Sequence, residues 1–228
     1  MTLSLADTAG SFAVTCLPAP DPAALVLFAV GGGGDPARHG PLLDHLSRRG
    51  LTVVAPHFER LAALRATSDE VLLRARRLSL ALAAAERPDL PVTGIGHSIG
   101  ASTLLGLAGG RLWLDAGGPL PIERELRLTR LALLAPATVC FRAPGALGEI
   151  DVPVLAIGAS EDDVTPPAQT EFLHNELAGQ VPVETRVIQG AGHFSFMNQP
   201  PPHVNDPLPD RDAFLELLAD DLAGFALQ

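Results

Sequence analysis

Residues 96–100 read Gly-His-Ser-Ile-Gly and raise the prospect of nucleophilic chemistry at Ser98. A serine hydroxyl attacks a carbonyl carbon effectively only when a base removes its proton. The G-x-S-x-G pattern holds such a serine on a sharp turn between a strand and a helix, where glycines leave room for the backbone. A tight turn that merely contains a serine is the alternative. Because an apolar segment precedes this pentapeptide and a helical pattern follows it, we interpret Ser98 as a candidate nucleophile.

A histidine late in the chain is a candidate for the base. His193 lies in the segment GAGHFSF, residues 190–196, directly behind a predicted strand at 181–189. The flanking glycines would let the imidazole reach across the ends of neighbouring strands. An exposed loop histidine is the alternative, but a late histidine fits the serine–acid–histidine order of one form of the Ser-His-Asp triad.

An acid must orient that histidine, and it should follow the strand that precedes the histidine's own. Glu161, Asp162 and Asp163 stand directly after an apolar run at 152–159. At most one of these acids can complete a triad, and the residues alone leave Asp162 and Asp163 as alternatives. Asp151 is less favourable because it precedes the strand.

A tetrahedral intermediate also needs hydrogen-bond donors for its oxyanion. One donor is the backbone N–H of Ile99, the residue after the candidate nucleophile. The other is expected from the glycine run 31–34, with Gly32 and Gly33 as equal candidates. A phosphate-binding loop is the alternative, but no lysine follows as in a P-loop, and Pro36 breaks the G-x-G-x-x-G pattern.

Strand and helix patterns alternate along most of the chain and predict the frame that positions these residues. Apolar runs predict strands, and amphipathic spacing predicts helices. The predicted strands are 11–17, 23–30, 51–57, 91–97, 128–136, 152–159 and 181–189, and the predicted helices are 41–50, 68–87, 99–109, 166–179 and 211–227. This alternation predicts an α/β fold with a mostly parallel central sheet covered by helices on both faces. Ligands of such sheets bind beyond the carboxyl ends of the strands, where the candidate nucleophile, the base, the acids 161–163 and the glycine run lie.

Composition excludes several classes of protein. The chain has 228 residues and a net charge of −10, so it lacks the basic surface needed to bind nucleic acid or an anionic membrane. Cys16 and Cys140 are too few for a disulfide framework, and no signal peptide or membrane-spanning apolar run is recognisable. We expect a single cytoplasmic domain spanning 1–228, with no metal or organic cofactor and a small acyl ester as its partner. The oligomeric state stays open, a homodimer included.

The segments GHSIGA, VPVLAIGASEDDVTPP and GAGHFSF carry a resemblance that extends over essentially the whole chain. They resemble the α/β-hydrolase superfamily, in particular the proteins related to dienelactone hydrolase. The resemblance implies that Asp162, which opens the Asp-Asp-Val-Thr-Pro stretch, is the triad acid and that His193 is the base. Two departures from the family are evident: dienelactone hydrolases carry a cysteine where this chain has Ser98, and Val30-Gly31 replaces the His-Gly that opens many oxyanion loops.

These features predict a serine hydrolase that cleaves a carboxylic ester through an acyl-enzyme. The connection at 137–151 is too short for a folded lid, so we expect a minimal cap or none. We expect four aromatic residues to line the substrate pocket: Trp113, Phe141, Phe194 and Phe196. Packing in the core or at the rim is the alternative role for each. A thioesterase, another acyl hydrolase or transferase, and a non-catalytic ligand-binding protein on the same fold are the alternative functions.

Overall fold

The chain forms one eight-stranded sheet in a computed structural model that describes residues 1–63, 65–85 and 87–228. The strands are β1 (Thr2–Asp7), β2 (Gly10–Leu17), β3 (Ala24–Ala29), β4 (Leu51–Pro56), β5 (Val92–His97), β6 (Leu128–Leu134), β7 (Val154–Ala159) and β8 (Val183–Ile188). Their order across the sheet is β1-β2-β4-β3-β5-β6-β7-β8. The pairs β1–β2 and β2–β4 are antiparallel, and every other neighbouring pair is parallel. The predicted mostly parallel sheet is confirmed.

Within the described residues, five α-helices connect or follow the strands. They are α1 (Gly40–Arg48), α2 (Ser68–Ala84), α3 (Ile99–Leu107), α4 (Ala168–Leu177) and α5 (Arg211–Ala226). Each corresponds to a predicted helix, although Glu86, near the predicted end of the second, lies outside the described residues. Helix α2 begins with a capping box in which Thr67 and Glu70 satisfy each other's backbone N–H groups, which explains why the helix starts there.

The helices pack on both faces of the sheet, as predicted. One buried apolar cluster contains residues of α2, α3 and α4, and the other contains residues of α1 and α5. Every residue of β3, β5 and β7 is buried. Strands covered on both faces need apolar side chains throughout, which explains why these central strands read as continuous apolar runs.

Strand β1 was missed by the sequence interpretation. It lies at the edge of the sheet and forms a hairpin with β2, in which Asp7 pairs with Gly10. Its residues alternate between exposed and half-buried, so it presents no continuous apolar run. The pattern typical of buried strands therefore could not reveal it.

Two long connections contain little regular structure. Residues 108–127, all of them described, contain neither helix nor strand, and the connection from β6 to β7 contains one short 3-10 helix (Val139–Phe141). As expected, residues 137–151 form no folded lid. In the described part of the chain, no helix combines the length and apolar character needed to cross a membrane.

Candidate active site

Ser98 stands on a strained turn between β5 and α3. Its φ of 56° and ψ of −122° lie in a region that side-chain-bearing residues rarely adopt. Both flanking glycines are required by close backbone contacts. A Cβ on Gly96 would lie 2.7 Å from the Ala101 nitrogen, and one on Gly100 would overlap the Ala29 carbonyl oxygen. The pentapeptide is therefore a strand-to-helix elbow rather than an ordinary turn.

Three side chains far apart in sequence meet at this elbow in one hydrogen-bonded row. The Nε2 atom of His193 lies 3.0 Å from Ser98 Oγ, and its Nδ1 atom lies 2.8 Å from Asp162 Oδ2. A carboxylate can only accept, so Nδ1 carries the imidazole proton and the Nε2 lone pair faces the serine hydroxyl. The structure thus brings Ser98, His193 and Asp162 together in the geometry of a nucleophile, its base and the acid that orients the base.

Asp162 is the acid that reaches His193, and its carboxylate is fully engaged. Oδ1 accepts the backbone N–H groups of Val164 (2.8 Å) and Thr165 (2.7 Å), while Oδ2 also accepts the Thr165 hydroxyl (2.7 Å). Burial alone would raise the pKa of Asp162, but hydrogen bonding and charge from His193, together with the Thr165 donors, hold that pKa below its usual value. Asp162 is therefore an ionised acceptor at neutral pH.

The other three candidate acids lie elsewhere. Glu161 and Asp163 are exposed, and Asp151 forms an exposed ion pair with Arg124. The Thr165 hydroxyl is a neighbour that the sequence interpretation missed, since it lies 3.1 Å from His193 Nδ1 and 3.0 Å from the Ala135 carbonyl oxygen. The only sequence signal for it was its place in the Asp-Asp-Val-Thr-Pro stretch.

A second buried histidine holds the His193 backbone. His97, the residue before Ser98, is 2% exposed and donates from Nε2 to the His193 carbonyl oxygen at 3.0 Å. Burial, followed by the nearby His193 and His39 imidazoles, keeps the pKa of His97 well below its ordinary value. His97 is thus a neutral donor that ties the elbow to the histidine loop, a role that its position beside Ser98 alone did not indicate.

The polar tail also supports the histidine loop. The Ser195 hydroxyl accepts the Gly192 N–H at 2.9 Å and donates to Asp206 at 2.7 Å. A Cβ on Gly192 would lie 3.1 Å from the Pro207 ring, so this segment of the tail packs directly on the loop. These contacts restrain the backbone on both sides of His193.

The glycine loop after β3, residues 31–34, lies beside the elbow. A Cβ on Gly31 would lie 3.4 Å from Ser98 Cβ and 3.0 Å from His97 Nδ1. The Gly34 N–H donates to the Gly31 carbonyl oxygen at 3.1 Å, so that donor is occupied, whereas Gly32 and Gly33 remain candidates. Ile99, the other candidate donor, is the first residue of α3, and a first-turn N–H has no acceptor within its own helix.

The four predicted pocket aromatics lie in different surroundings. Phe141 is 1% exposed in the core under α2–α4, and Phe196 is 0% exposed in the core under α1 and α5, so neither presents a surface to substrate. The expectation that these two wall the pocket is corrected, because their rings fill the cores. Phe194 is half-buried and meets the His193 ring edge-on at 5.0 Å, while Trp113 is half-buried under the Arg111 guanidinium.

No protein-family model matches the chain, and no curated protein matches its sequence. Solved structures do match.

Three such structures extend over nearly the whole chain. A protein of unknown function from Agrobacterium tumefaciens, described as an alpha/beta hydrolase candidate, is 17% identical with a TM-score of 0.70, covering 97% of this chain and 94% of that one. An alpha-beta serine hydrolase homologue from Coxiella burnetii is 19% identical with a TM-score of 0.67, covering 97% of both chains. A thermophilic esterase from Thermogutta terrifontis is 15% identical with a TM-score of 0.68, covering 99% and 90%. At these identities the likeness establishes the α/β-hydrolase fold.

Within the described ranges, no group of three or more His, Cys, Asp and Glu side chains is gathered so that it could hold a metal ion. The polar groups at the Ser98 elbow include the His193 imidazole, the Asp162 carboxylate and the N–H at the start of α3. They can activate a hydroxyl and bind an oxyanion.

Proposed function

We propose that the protein is a serine hydrolase that cleaves carboxylic esters through an acyl-enzyme. One observation carries the proposal: Ser98 Oγ, the His193 imidazole and the Asp162 carboxylate form a continuous hydrogen-bonded row at a strained elbow. A strained nucleophile with its base already in place is costly to maintain and is typical of acyl-transfer sites.

The reaction would proceed in two steps. Ser98 Oγ bonds to the ester carbonyl carbon while its proton passes to His193 Nε2, and Asp162 stabilises the resulting imidazolium. The tetrahedral oxyanion accepts the Ile99 N–H and one N–H from the glycine loop. Collapse breaks the bond to the leaving alcohol, which takes the proton from His193. Water then attacks the acyl-enzyme with His193 as base again, and the acid is released with Ser98 regenerated.

The surroundings of the site favour a small and uncharged acyl ester. The β6–β7 connection forms no folded lid, and Phe194 packs its apolar ring directly against His193. Two exposed apolar side chains, Val139 (66% exposed) and Val164 (53% exposed), lie in the loops after β6 and β7. The thermophilic esterase of the same fold has been solved with propionate and with butyrate bound. A relation to dienelactone hydrolases stays a prediction.

Covalent labelling tests the proposal. A fluorophosphonate probe should add one adduct per chain to the wild type, measured by intact mass, and none to Ser98→Ala or His193→Ala. The esterase of the same fold is phosphorylated by paraoxon, a related chemistry. An unlabelled wild type would favour a non-catalytic ligand-binding protein instead.

A substrate panel then tests the ester assignment. Turnover of p-nitrophenyl acetate and butyrate, lost in Ser98→Ala, would support a carboxylesterase. Selective turnover of acyl-CoA thioesters, with these nitrophenyl esters left intact, would refute it in favour of a thioesterase.

A further inference from the structure

Arg74, in the second turn of α2, is buried and donates hydrogen bonds to backbone carbonyls beside the site. The residue is 3% exposed. Nη1 donates to the carbonyl oxygens of Val30 (3.3 Å) and Gly31 (3.2 Å), and Nη2 donates to that of Glu59 (3.3 Å). Two of these three acceptors lie where β3 enters the glycine loop, so the guanidinium holds that loop from behind.

The nearest acid on the same helix does not neutralise Arg74 by a hydrogen bond. Glu70 lies one turn earlier, but its carboxylate accepts the Thr67 N–H and hydroxyl in the capping box. Burial lowers the pKa of Arg74 to about 10, so the guanidinium is charged at neutral pH. It also stacks on the Phe58 ring at 4.6 Å. A buried cation paired mainly with carbonyls is a weak source of stability, which points to another reason for its presence.

We propose that Arg74 is a positioning residue for the oxyanion loop (residues 31–34) and that Gly32 supplies the second oxyanion donor. The inference rests on the proposed function. In a trans peptide the C=O and the N–H point in opposite directions. The Gly31 carbonyl, held by Arg74 and by the Gly34 N–H, belongs to the same peptide unit as the Gly32 N–H. Fixing the carbonyl therefore fixes the direction of that N–H.

The location of this peptide unit supports the assignment. Gly31 lies against the elbow, with only 3.4 Å between its Cβ position and Ser98 Cβ. The Gly32 carbonyl accepts the Leu61 N–H at 2.9 Å, which restrains the far side of the same residue. Charge on Arg74 also polarises the Gly31–Gly32 peptide and strengthens its N–H as a donor. An oxyanion bound there would be stabilised without rearrangement of the loop.

Kinetics on Arg74→Met and Arg74→Lys test the proposal, with Arg77→Met as the matched control. Arg77 lies on the same helix, is 7% exposed and stacks on the Phe12 ring at 4.6 Å, but it pairs with Asp7, away from the loop. Each variant is assayed for kcat and KM with p-nitrophenyl butyrate, for thermal stability, and for inhibition by a trifluoromethyl ketone. The ketone carbon bonds to Ser98 Oγ, the serine proton passes to His193, and the ketone oxygen becomes an oxyanion.

We expect Arg74→Met to lower kcat by about 10- to 100-fold, because misplaced oxyanion donors cost rate rather than ground-state binding. KM should change by less than about threefold, and the inhibition constant of the ketone should rise by a factor similar to the loss in kcat. Arg74→Lys, which keeps the charge but lacks the fork, should fall between. Arg77→Met should lose thermal stability and keep kcat and the inhibition constant within about twofold.

Two results would overturn the inference. One is an Arg74→Met variant that is less stable but has wild-type kcat and ketone affinity. The other, which decides the matter if Arg74→Met does not fold, is an Arg74→Lys variant identical to the wild type in both. If the wild type itself fails to react with the fluorophosphonate probe, both the proposed function and this inference are refuted. A labelled wild type with an unaffected Arg74→Met removes the inference alone.

Discussion

Replacing Asp162 with asparagine tests the proposed mechanism at its least exposed member. The carboxylate accepts four hydrogen bonds, from the Val164 and Thr165 N–H groups, the Thr165 hydroxyl and His193 Nδ1. In Asp162→Asn the amide oxygen keeps the two backbone donors, and the NH₂ group turns towards His193. An NH₂ group cannot accept, so Nδ1 must give up its proton and Nε2 must carry one. The imidazole then presents a proton instead of a lone pair to Ser98.

The expected loss in kcat is about 10⁴-fold, or about 5.5 kcal/mol of transition-state stabilisation, the scale of a triad whose histidine is held in the wrong tautomer. Stability should change little because each hydrogen-bonding site keeps a partner. Initial rates with p-nitrophenyl butyrate, and the rate of fluorophosphonate labelling, measure the effect. Asp163→Asn is the control, and its exposed side chain predicts rates within about twofold of the wild type.

An Asp162→Asn variant that keeps more than a tenth of wild-type kcat would refute this reasoning. It would mean that the tautomer of His193 is not set by residue 162. A larger loss in Asp163→Asn than in Asp162→Asn would transfer the role to the neighbouring acid. Equal losses in both variants would indicate that the charge of the loop matters rather than the contact with His193.

Two further changes test the packing around the site. His39 is buried, and burial is the main reason why its pKa is lowered to about 4. As the pH falls below 6.5, this histidine is protonated in the unfolded chain, whereas in the folded chain it stays neutral until about pH 4. Stability is therefore lost as pH falls through this window, by up to about 3 kcal/mol, and urea unfolding of His39→Gln should show a shallower loss than the wild type or the exposed control His203→Gln. Parallel curves for all three would contradict the assignment. Gly100→Ala should lower kcat/KM more than about 100-fold and reduce stability, because its Cβ would overlap the Ala29 carbonyl oxygen. The control Gly224→Ala, in α5, places its Cβ in open space, so its free energy of unfolding in urea should rise by up to about 1 kcal/mol. An active, stable Gly100→Ala would show that the elbow tolerates a side chain.

The central strands and the helices were predictable because each depends on residues close together in sequence. Short continuous apolar runs such as 152–159 are typical of strands buried on both faces, and the structure confirms β7 there as Val154–Ala159. The same local logic placed Ser98 on an elbow between β5 and α3. It failed for β1, whose alternating pattern at the sheet edge carries too weak a signal.

The choice among neighbouring acids and among aromatics required the folded chain. Asp162 and Asp163 have the same chemistry and differ by one position, so only family register favoured one over the other. The turn that follows decides it, because two successive backbone N–H groups bind Asp162 and aim its other oxygen at His193. For Phe141 and Phe196 the prediction of a pocket wall was wrong. An aromatic side chain in a loop near a site can equally fill a core, as these two do.

Local patterns identify the candidates: a serine bracketed by glycines, a late histidine, three adjacent acids after a strand and a glycine run after another. Which of these residues touch depends on the folded chain. His193 and Ser98 are 95 positions apart, and His193 and Asp162 are 31 apart. Arg74 carried no signal at all, because an arginine in an amphipathic helix usually faces water. Contacts between such distant positions form only when parallel strands bring their carboxyl ends to one edge of the sheet. A local sequence pattern does not specify the distances between side chains on different strands.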